Sequence, residues 1–280
     1  MARHANSQSP KGEDIARHYA SGYEESRLNI ASGKLDRERS RELLKRFLPP
    51  APATILDVGG GPGGHACWLA AEGHEVHLID ITPLHVEMAQ AASRRQPEAP
   101  LASATVGDAC SLSGKAGSVD AVVLFGPLYH LTDREDRLQA LREAHRVLKP
   151  GGVLLGIGIS RFASMLDGVS RGVLKDADFA NIVNQDLENG HHRNPTGRED
   201  YFMDAFFHRP DELRSEAAEA GYRIRGIFGV EGPGWLVHDF DEWWNNPEHR
   251  ARLLHIARIV ETEPCLLGMS AHMMVAGSKP

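Results

Sequence analysis

The sequence is 280 residues long, room for one large α/β domain or one domain with a sizeable insertion, and its 41% hydrophobic and 25% charged residues suffice to bury a core unaided. A net charge of −7 with neutral histidines, and the lack of any Lys/Arg run interleaved with aromatics, argue against a groove that tracks nucleic-acid phosphates. Cys67, Cys110 and Cys265 lie far apart with no CxxC spacing, which predicts a reducing compartment, core packing for the thiols and no structural zinc.

Residues 1–12 read as a polar, disordered tail without the apolar run of a signal, and no stretch approaches about 18 apolar residues, so the expectation is a cytoplasmic protein without a membrane span. Residues 13–30 read as a helix in which Tyr19, Tyr23 and Arg27 recur every four positions and share one face. That face suits a lid over a ligand, although amphipathic packing accounts for the tyrosines equally well. A second helix is predicted over 36–47, with Leu43, Leu44 and Phe47 on its apolar side and Pro49-Pro50 as its stop.

The β-branched run over 53–58 then feeds Gly59-Gly60-Gly61-Pro62-Gly63-Gly64, and a helix follows over 63–71. Glycines allow positive φ and carry no Cβ, so the main chain of such a turn can press against a nucleotide-like ligand at the strand end. Gly59, Gly61 and Gly64 fit the GxGxxG pattern. Alone, that match leaves two ligands open: a nicotinamide or flavin dinucleotide, or the adenosine half of S-adenosylmethionine.

Strands over 75–79, 101–106, 119–125 and 153–159 alternate with helices over 83–94 and 133–148, the latter stopped by Lys149-Pro150-Gly151-Gly152. Continuous apolar strands alternating with helices predict a parallel sheet covered on both faces, hence a doubly wound fold. Over 160–208 the period fades and glycines, charges and aromatics mix, the pattern expected of an inserted lid. A helix over 211–220, a strand over 222–230, helical stretches holding Phe240, Trp243 and Trp244 and then 252–260, and a last strand over 269–276 complete the chain. His191-His192 carries no supporting carboxylate spacing, and adjacent histidines diverge, so no metal is expected. Trp243 and Trp244 read as core, and His208 and Asp204 as possible site residues.

Six motifs in order give the layout its identity: Asp57-Val58-Gly59-Gly60-Gly61-Pro62-Gly63; Asp80 ending the second strand; Gly107-Asp108-Ala109 after the third; the segment 120–131 containing Phe125-Gly126-Pro127-Leu128-Tyr129-His130-Leu131; Arg146-Val147-Leu148-Lys149-Pro150-Gly151-Gly152; and the late strand over 269–276. With these motifs the chain resembles the class I S-adenosylmethionine-dependent methyltransferases from about Tyr19 onward. The resemblance implies a Rossmann-like, seven-stranded doubly wound sheet with an antiparallel last strand. It divides the chain into a helical lid over 13–48, a cofactor-binding methyltransferase domain over 49–160 and 209–280, and a substrate-binding lid over 161–208.

It also implies roles for residues. Gly59, Gly61 and Gly63 admit the methionine and ribose portion of the cofactor. Asp57 holds the turn or accepts from the ammonium through water. Asp80, with Ile81 beside it, takes the ribose hydroxyls, since an ionised carboxylate offers two acceptor oxygens. Asp108 accepts from the adenine amino group beside the Ala109 amide, Phe125 and Gly126 line the cleft through main-chain atoms, and Tyr19 and Arg27 join the cofactor set; the face Arg27 shares with the tyrosines favours pairing with the cofactor carboxylate over a solvated helix charge. The short-range alternative for Asp57, Asp80 and Asp108 is a helix cap or turn acid.

Methyl transfer is an in-line displacement, so alignment comes first and a base second. Tyr129, His130 and Tyr23 are the catalytic candidates, His130 having the more suitable ordinary pKa. Trp235 and its neighbours favour a small aromatic acceptor. Ser160-Arg161-Phe162-Ala163-Ser164, His192-Arg193-Asn194-Pro195-Thr196 and Val230-Glu231-Gly232-Pro233-Gly234-Trp235 are similar to stretches of bacterial secondary-metabolism methyltransferases that include indole C3-methyltransferases acting on tryptophan-containing cyclic dipeptides. Methylation of an oxygen or nitrogen in another small molecule, an NAD(P)-dependent oxidoreductase and a cofactor-binding module without catalysis are the competing readings.

Overall fold

The computed structural model describes residues 31–280. The predicted tail, the helix over 13–30, and with it Tyr19, Tyr23 and Arg27, lie outside the described residues.

The strand β1 (Thr54–Val58) lies in the interior of the sheet, because its TILDV sequence is β-branched and apolar enough to be covered on both faces. It runs parallel to β2 (Glu75–Asp80), with Leu56 opposite His77, and to β4 (Val119–Leu124), with Leu56 opposite Val122. β3 (Ser103–Val106) extends the β2 side in parallel, and β5 (Leu148–Ser160) extends the β4 side. β9 (His272–Ser278) runs antiparallel along β5, and β8 (Arg223–Gly229) antiparallel along β9. The continuous order is therefore β3-β2-β1-β4-β5-β9-β8, the expected seven-stranded Rossmann-like sheet.

Beyond the end of β4, the edge of β5 that β4 leaves is taken up by β7 (Ala205–His208). Ile159 and Ser160 pair with Phe207 and His208, and β6 (His191–His192) closes a short hairpin against β7. This annex brings the strand total among the described residues to nine.

Side chains alternate across each strand, so the sheet has two separate cores. Ile55, Ala121 and Val123 pack under α1 (Ala31–Phe47), α2 (Gly64–Ala71) and α3 (Pro83–Arg94), meeting Leu43, Leu69 and Val86. Leu56, Val122 and Leu124 face the other way, onto Leu141 and Val147 of α5 (Arg134–Val147) and Leu213 of α8 (Pro210–Glu219). Both faces are covered, as the alternating βα pattern requires.

Three expectations need correction. Lys149 to Gly152 do not separate helix from strand: Leu148 already pairs with Val119, and the glycines ride within β5 past an irregularity in register. The last strand starts at His272, because Leu267–Met269 form a 3₁₀ turn whose end is held by Ser270. The region over 160–208 is largely helical, with α6 (Ala163–Arg171), α7 (Ala177–Asn189) and the β6–β7 hairpin. Asp176 caps α7 by accepting from the Asp178 and Phe179 amides, and Gly190 ends it at φ 81°. Its buried stripe of Phe179, Ile182 and Val183 is broken by the buried acid Asp186, which hid the helical period.

Of the cysteines, Cys67 is buried as expected, whereas Cys265 is exposed. Trp243 and Trp244 of α9 (Phe240–Asn245) pack around Leu35, Phe240 and Leu253 of α10 (Pro247–Val260). No helix among the described residues is long and apolar enough to cross a membrane.

Candidate functional site

The C-terminal ends of β1, β2, β3 and β4 all open onto one edge of the sheet, where parallel doubly wound folds bind ligands. After β1 the chain turns at Gly59 (φ 72°) and Gly61 (φ 54°). A Cβ on Gly59 would lie 2.6 Å from the Pro127 ring and 3.0 Å from the Phe125 carbonyl, so only glycine lets the β1 and β4 loops approach. The Gly59 amide donates to the Ile79 carbonyl at 2.7 Å, fixing the turn onto β2.

Asp80 locks the arrangement. Its Oδ2 accepts from the Gly61 amide and its Oδ1 from the Thr82 amide, each at 2.8 Å, and the His85 Nδ1 lies 3.2 Å from Oδ1. Both oxygens are already engaged by the loops, yet an ionised carboxylate offers about four lone-pair directions and so keeps acceptor capacity on the cavity side. Asp57 sits beneath the turn. Burial, then the charge of Asp80, pushes its carboxyl up to about 7, and its Oδ2 has no hydrogen-bond partner among the described residues.

Gly59, Gly61, Asp80, Ile81, Asp108, Ala109, Phe125, Gly126, Tyr129 and His130 line a single cavity. The structure thus brings together ten of the residues singled out from the sequence. Asp57 and Gly63 do not reach it: Asp57 supports the floor, and Gly63 (φ 87°) begins α2 against Ala89. Asp108 is held in its turn by accepting from the Cys110 amide at 2.8 Å.

Tyr129 and His130 stand in α4 (Pro127–His130), entered through Gly126 at φ 114°, with ring centroids 4.5 Å apart. The chain after them is braced by Arg137. Its guanidinium donates to the Leu131 and Thr132 carbonyls at 2.9 and 3.0 Å, pairs with Glu216 at 2.7 Å and covers the Phe206 ring at 3.7 Å. Burial opposes charge on Glu216, but hydrogen bonds from His208 and Arg137 hold its carboxyl at about 2. His208 is therefore part of this brace, and Asp204 accepts from the Asn194 amide; neither lines this cavity or the one that adjoins it.

Sequence reasoning missed His65, which also lines this cavity, edge-on to Phe125 at 5.6 Å. Burial, then Arg41 and Arg37, pushes its imidazole down to about 4, so it is neutral at neutral pH. Asp36, Arg37 and Ser40 of α1 line the same cavity; α1 falls within the helical lid expected over 13–48, but none of these three was singled out.

A second cavity of about 930 Å³ adjoins the first, and it falls within the roughly 300–1,000 Å³ typical of small-molecule sites. Phe179, Tyr201, Phe202, Phe207, Trp235 and Phe240 supply its aromatic walls. His192 lines it while bonded to Asp186 at 2.8 Å and the Tyr201 carbonyl at 2.9 Å, and stacked on Phe207; His191 turns instead to Phe206. Asp36 and His272 line both cavities, so the two meet there. Glu231, also missed, stands beside them.

Residues 56–156 match the family model described as a methyltransferase domain. The chain is 33% identical over 122 residues to the ubiquinone/menaquinone biosynthesis C-methyltransferase UbiE of Acidiphilium cryptum, covering 43% of this chain and 48% of that protein. It is 31% identical over 142 residues to the methyltransferase GfsG of Streptomyces halstedii, covering 50% and 47% respectively. The chain thus spans about half the length of these curated relatives. The crystal structure of an S-adenosylmethionine-dependent methyltransferase from Mesorhizobium loti superposes with a TM-score of 0.58 at 16% identity, over 88% of this chain and all (100%) of that one, a likeness of fold.

Residues 56–156 accordingly carry a methyltransferase domain, and the choice of ligand left open at the glycine turn resolves to S-adenosylmethionine as its cofactor. The cavity suits that molecule: a floor without Cβ atoms at Gly59 and Gly61, a carboxylate at Asp80 and a neutral imidazole at His65.

Proposed function

We propose that the whole chain transfers the methyl group of S-adenosylmethionine to a small aromatic natural product, and that the acceptor is the indole C3 of a tryptophan-containing cyclic dipeptide. The observation that carries this reading is the aromatic cavity joined to the cofactor cavity at Asp36 and His272. Six aromatic rings around a space of that size suit a flat bicyclic ring rather than a protein or a nucleic acid. Four of the six rings come from the segment over 161–208, in keeping with a substrate-binding lid inserted in the methyltransferase domain.

The bound cofactor supplies an electrophilic methyl group on a sulfonium. Gly59 and Gly61 hold its methionine and ribose portion against main chain, Asp80 beside Ile81 takes the ribose hydroxyls, and Asp108 with the Ala109 amide meets the adenine. Phe125 and Gly126 close the cleft, with Tyr19 and Arg27 completing the cofactor set. Asp57 and Gly63 act by shaping the turn. Tyr129, His130 and Tyr23 orient the acceptor near the cofactor, so that it reacts in line, an effect worth up to roughly 7–11 kcal/mol in oriented model reactions. With indole, bonding at C3 leaves an iminium at C2, which a dipeptide amide nitrogen traps to close a pyrroloindoline and release a proton.

Incubation with S-adenosylmethionine and a panel of indoles, phenols and amines tests the reading. The expected result is a tryptophan cyclic dipeptide one methyl heavier, with its indole absorbance lost. Methylation confined to a phenol or amine overturns the indole assignment, and absence of both cofactor binding and product overturns the methyltransferase reading itself.

A further inference from the structure

Where the two cavities meet, β9 begins with His272 and the chain leaving β8 presents Glu231. Because β9 is antiparallel, its first residue arrives at the same sheet edge as the ends of the parallel strands, opposite Ile159 of β5. The Nδ1 of His272 lies 2.5 Å from Glu231 Oε1, and Asp36 Oδ2 of α1 stands 4.0 Å from the same nitrogen. Among the described residues, the charged groups shown facing the ring are Glu231 after β8 and Asp36 on α1.

Glu231 is itself fixed. Its Oε2 accepts from the Ser270 hydroxyl at 2.7 Å and from the His272 amide at 3.0 Å, while its own amide donates back to Ser270 Oγ at 2.9 Å. Burial opposes its ionisation, but the charge and hydrogen bonds of His272, with that of Ser270, hold its carboxyl below the ordinary glutamate range. Asp36 is oriented by accepting from Ser40 at 3.0 Å.

Asp36, Glu231 and His272 place their ligating atoms within 4.8 Å of one another, which also raises the question of a cation. The contact between imidazole and carboxylate decides it. Two ligands at about 2.0–2.2 Å from one metal stand roughly 3 Å apart, so a 2.5 Å separation is a hydrogen bond with no room for an ion between the atoms.

We infer that His272, held through Nδ1 by Glu231 where the cofactor and aromatic cavities join, is the catalytic base that takes the proton released by the methyl acceptor on Nε2. Glu231 is a positioning residue: it fixes the tautomer and the ring plane, and its carboxylate stabilises the imidazolium, the logic of carboxylate–histidine pairs in acid–base enzymes. The step balances. The acceptor's electron pair forms the bond to the methyl carbon, the pair of the S–CH₃ bond leaves with sulfur, and the acceptor's N–H or O–H proton passes to His272 and then to solvent.

This inference rests on the methyltransferase reading, and its test separates the two. In full-length protein, His272→Ala is expected to keep cofactor binding by calorimetry and to lose about 10²–10⁴-fold in kcat. The acid limb of its kcat–pH profile should vanish, and added imidazole should restore turnover. Glu231→Gln should move the NMR titration of the His272 ring to lower pH and shift the acid limb with it, changes that a purely structural role does not produce. A wild-type protein that binds no cofactor overturns the methyltransferase reading. Wild-type turnover whose acid limb survives in His272→Ala, a His272 titration unmoved in Glu231→Gln, or activity removed by a chelator and restored by a divalent cation each overturns this assignment alone.

Discussion

On the cofactor side, the cavity floor is glycine main chain in short loops at the ends of parallel strands; on the side proposed for the acceptor, the wall is side chains gathered from α6, α7, β7, β9 and the turn around Trp235. A main-chain wall reads a ligand by shape and hydrogen-bond direction, and it tolerates little change because a Cβ at Gly59 has nowhere to go. A side-chain wall sets acceptor size and can be remodelled one residue at a time. Substitutions on the first side should therefore act on cofactor affinity and those on the second on acceptor KM. The following outcomes break or sharpen that division.

Gly59→Val carries the largest effect. The left-handed φ costs about 1–3 kcal/mol and the collision with Pro127 and Phe125 adds to it, so cofactor affinity should fall by a hundredfold or more in calorimetry, in a protein still folded by circular dichroism. Asp80→Ala follows. Removing a charged acceptor from the Gly61 and Thr82 amides costs about 1.5–3 kcal/mol, a loss of roughly 10–100-fold in cofactor binding with acceptor KM unchanged.

Trp235→Phe tests the other side. It removes the indole bond to the Met269 carbonyl and some aromatic surface, about 0.5–1.5 kcal/mol, and should raise acceptor KM up to roughly tenfold while cofactor affinity stays put. A cofactor effect equal to the acceptor effect would mean that the two walls are not separable.

Asp57→Asn is the smallest in binding and the clearest in pH. The folded pKa of Asp57 is raised from 3.8 to about 7, so its contribution to stability is complete below pH 3.8 and is lost as pH rises toward 7, by roughly 1.4 kcal/mol per unit across that window. Thermal unfolding of wild type and Asp57→Asn should therefore diverge between those pH values, the variant gaining relative stability as pH rises. Parallel curves would sink the assignment of a proton to this carboxyl.

The same division explains what the sequence made legible. Gly59, Gly61, Asp80, Asp108 and Gly126 sit next to the strands that place them, so short-range pattern and strand order suffice to bring them together. His272 and Glu231 are 41 positions apart and each reads as the flank of an apolar strand. Only the antiparallel direction of β9 puts both on the ligand edge, and the usable signal was one polar residue at the start of an otherwise apolar final strand. Phe179, Tyr201, Phe207 and Trp235 gave no period, because the acid Asp186 interrupts the stripe of α7 and a hairpin carries Phe207 back to β5. Tyr129 and His130 were legible from their place after β4, whereas the Arg137–Glu216 brace behind them joins residues 79 positions apart.

α1 touches both ligands' spaces at once, through Arg37 and Ser40 on one side, Gly33 on the other and Asp36 on both. Its seat is set by Arg39, which is buried, lines neither cavity and donates to the Val230 carbonyl at 3.2 Å, one residue before Glu231. Linkage is reciprocal: the factor by which bound cofactor changes acceptor affinity equals the factor by which bound acceptor changes cofactor affinity. A shift of α1 would enter both dissociation constants together, so a substitution at Arg39, which lines neither cavity, is expected to change both.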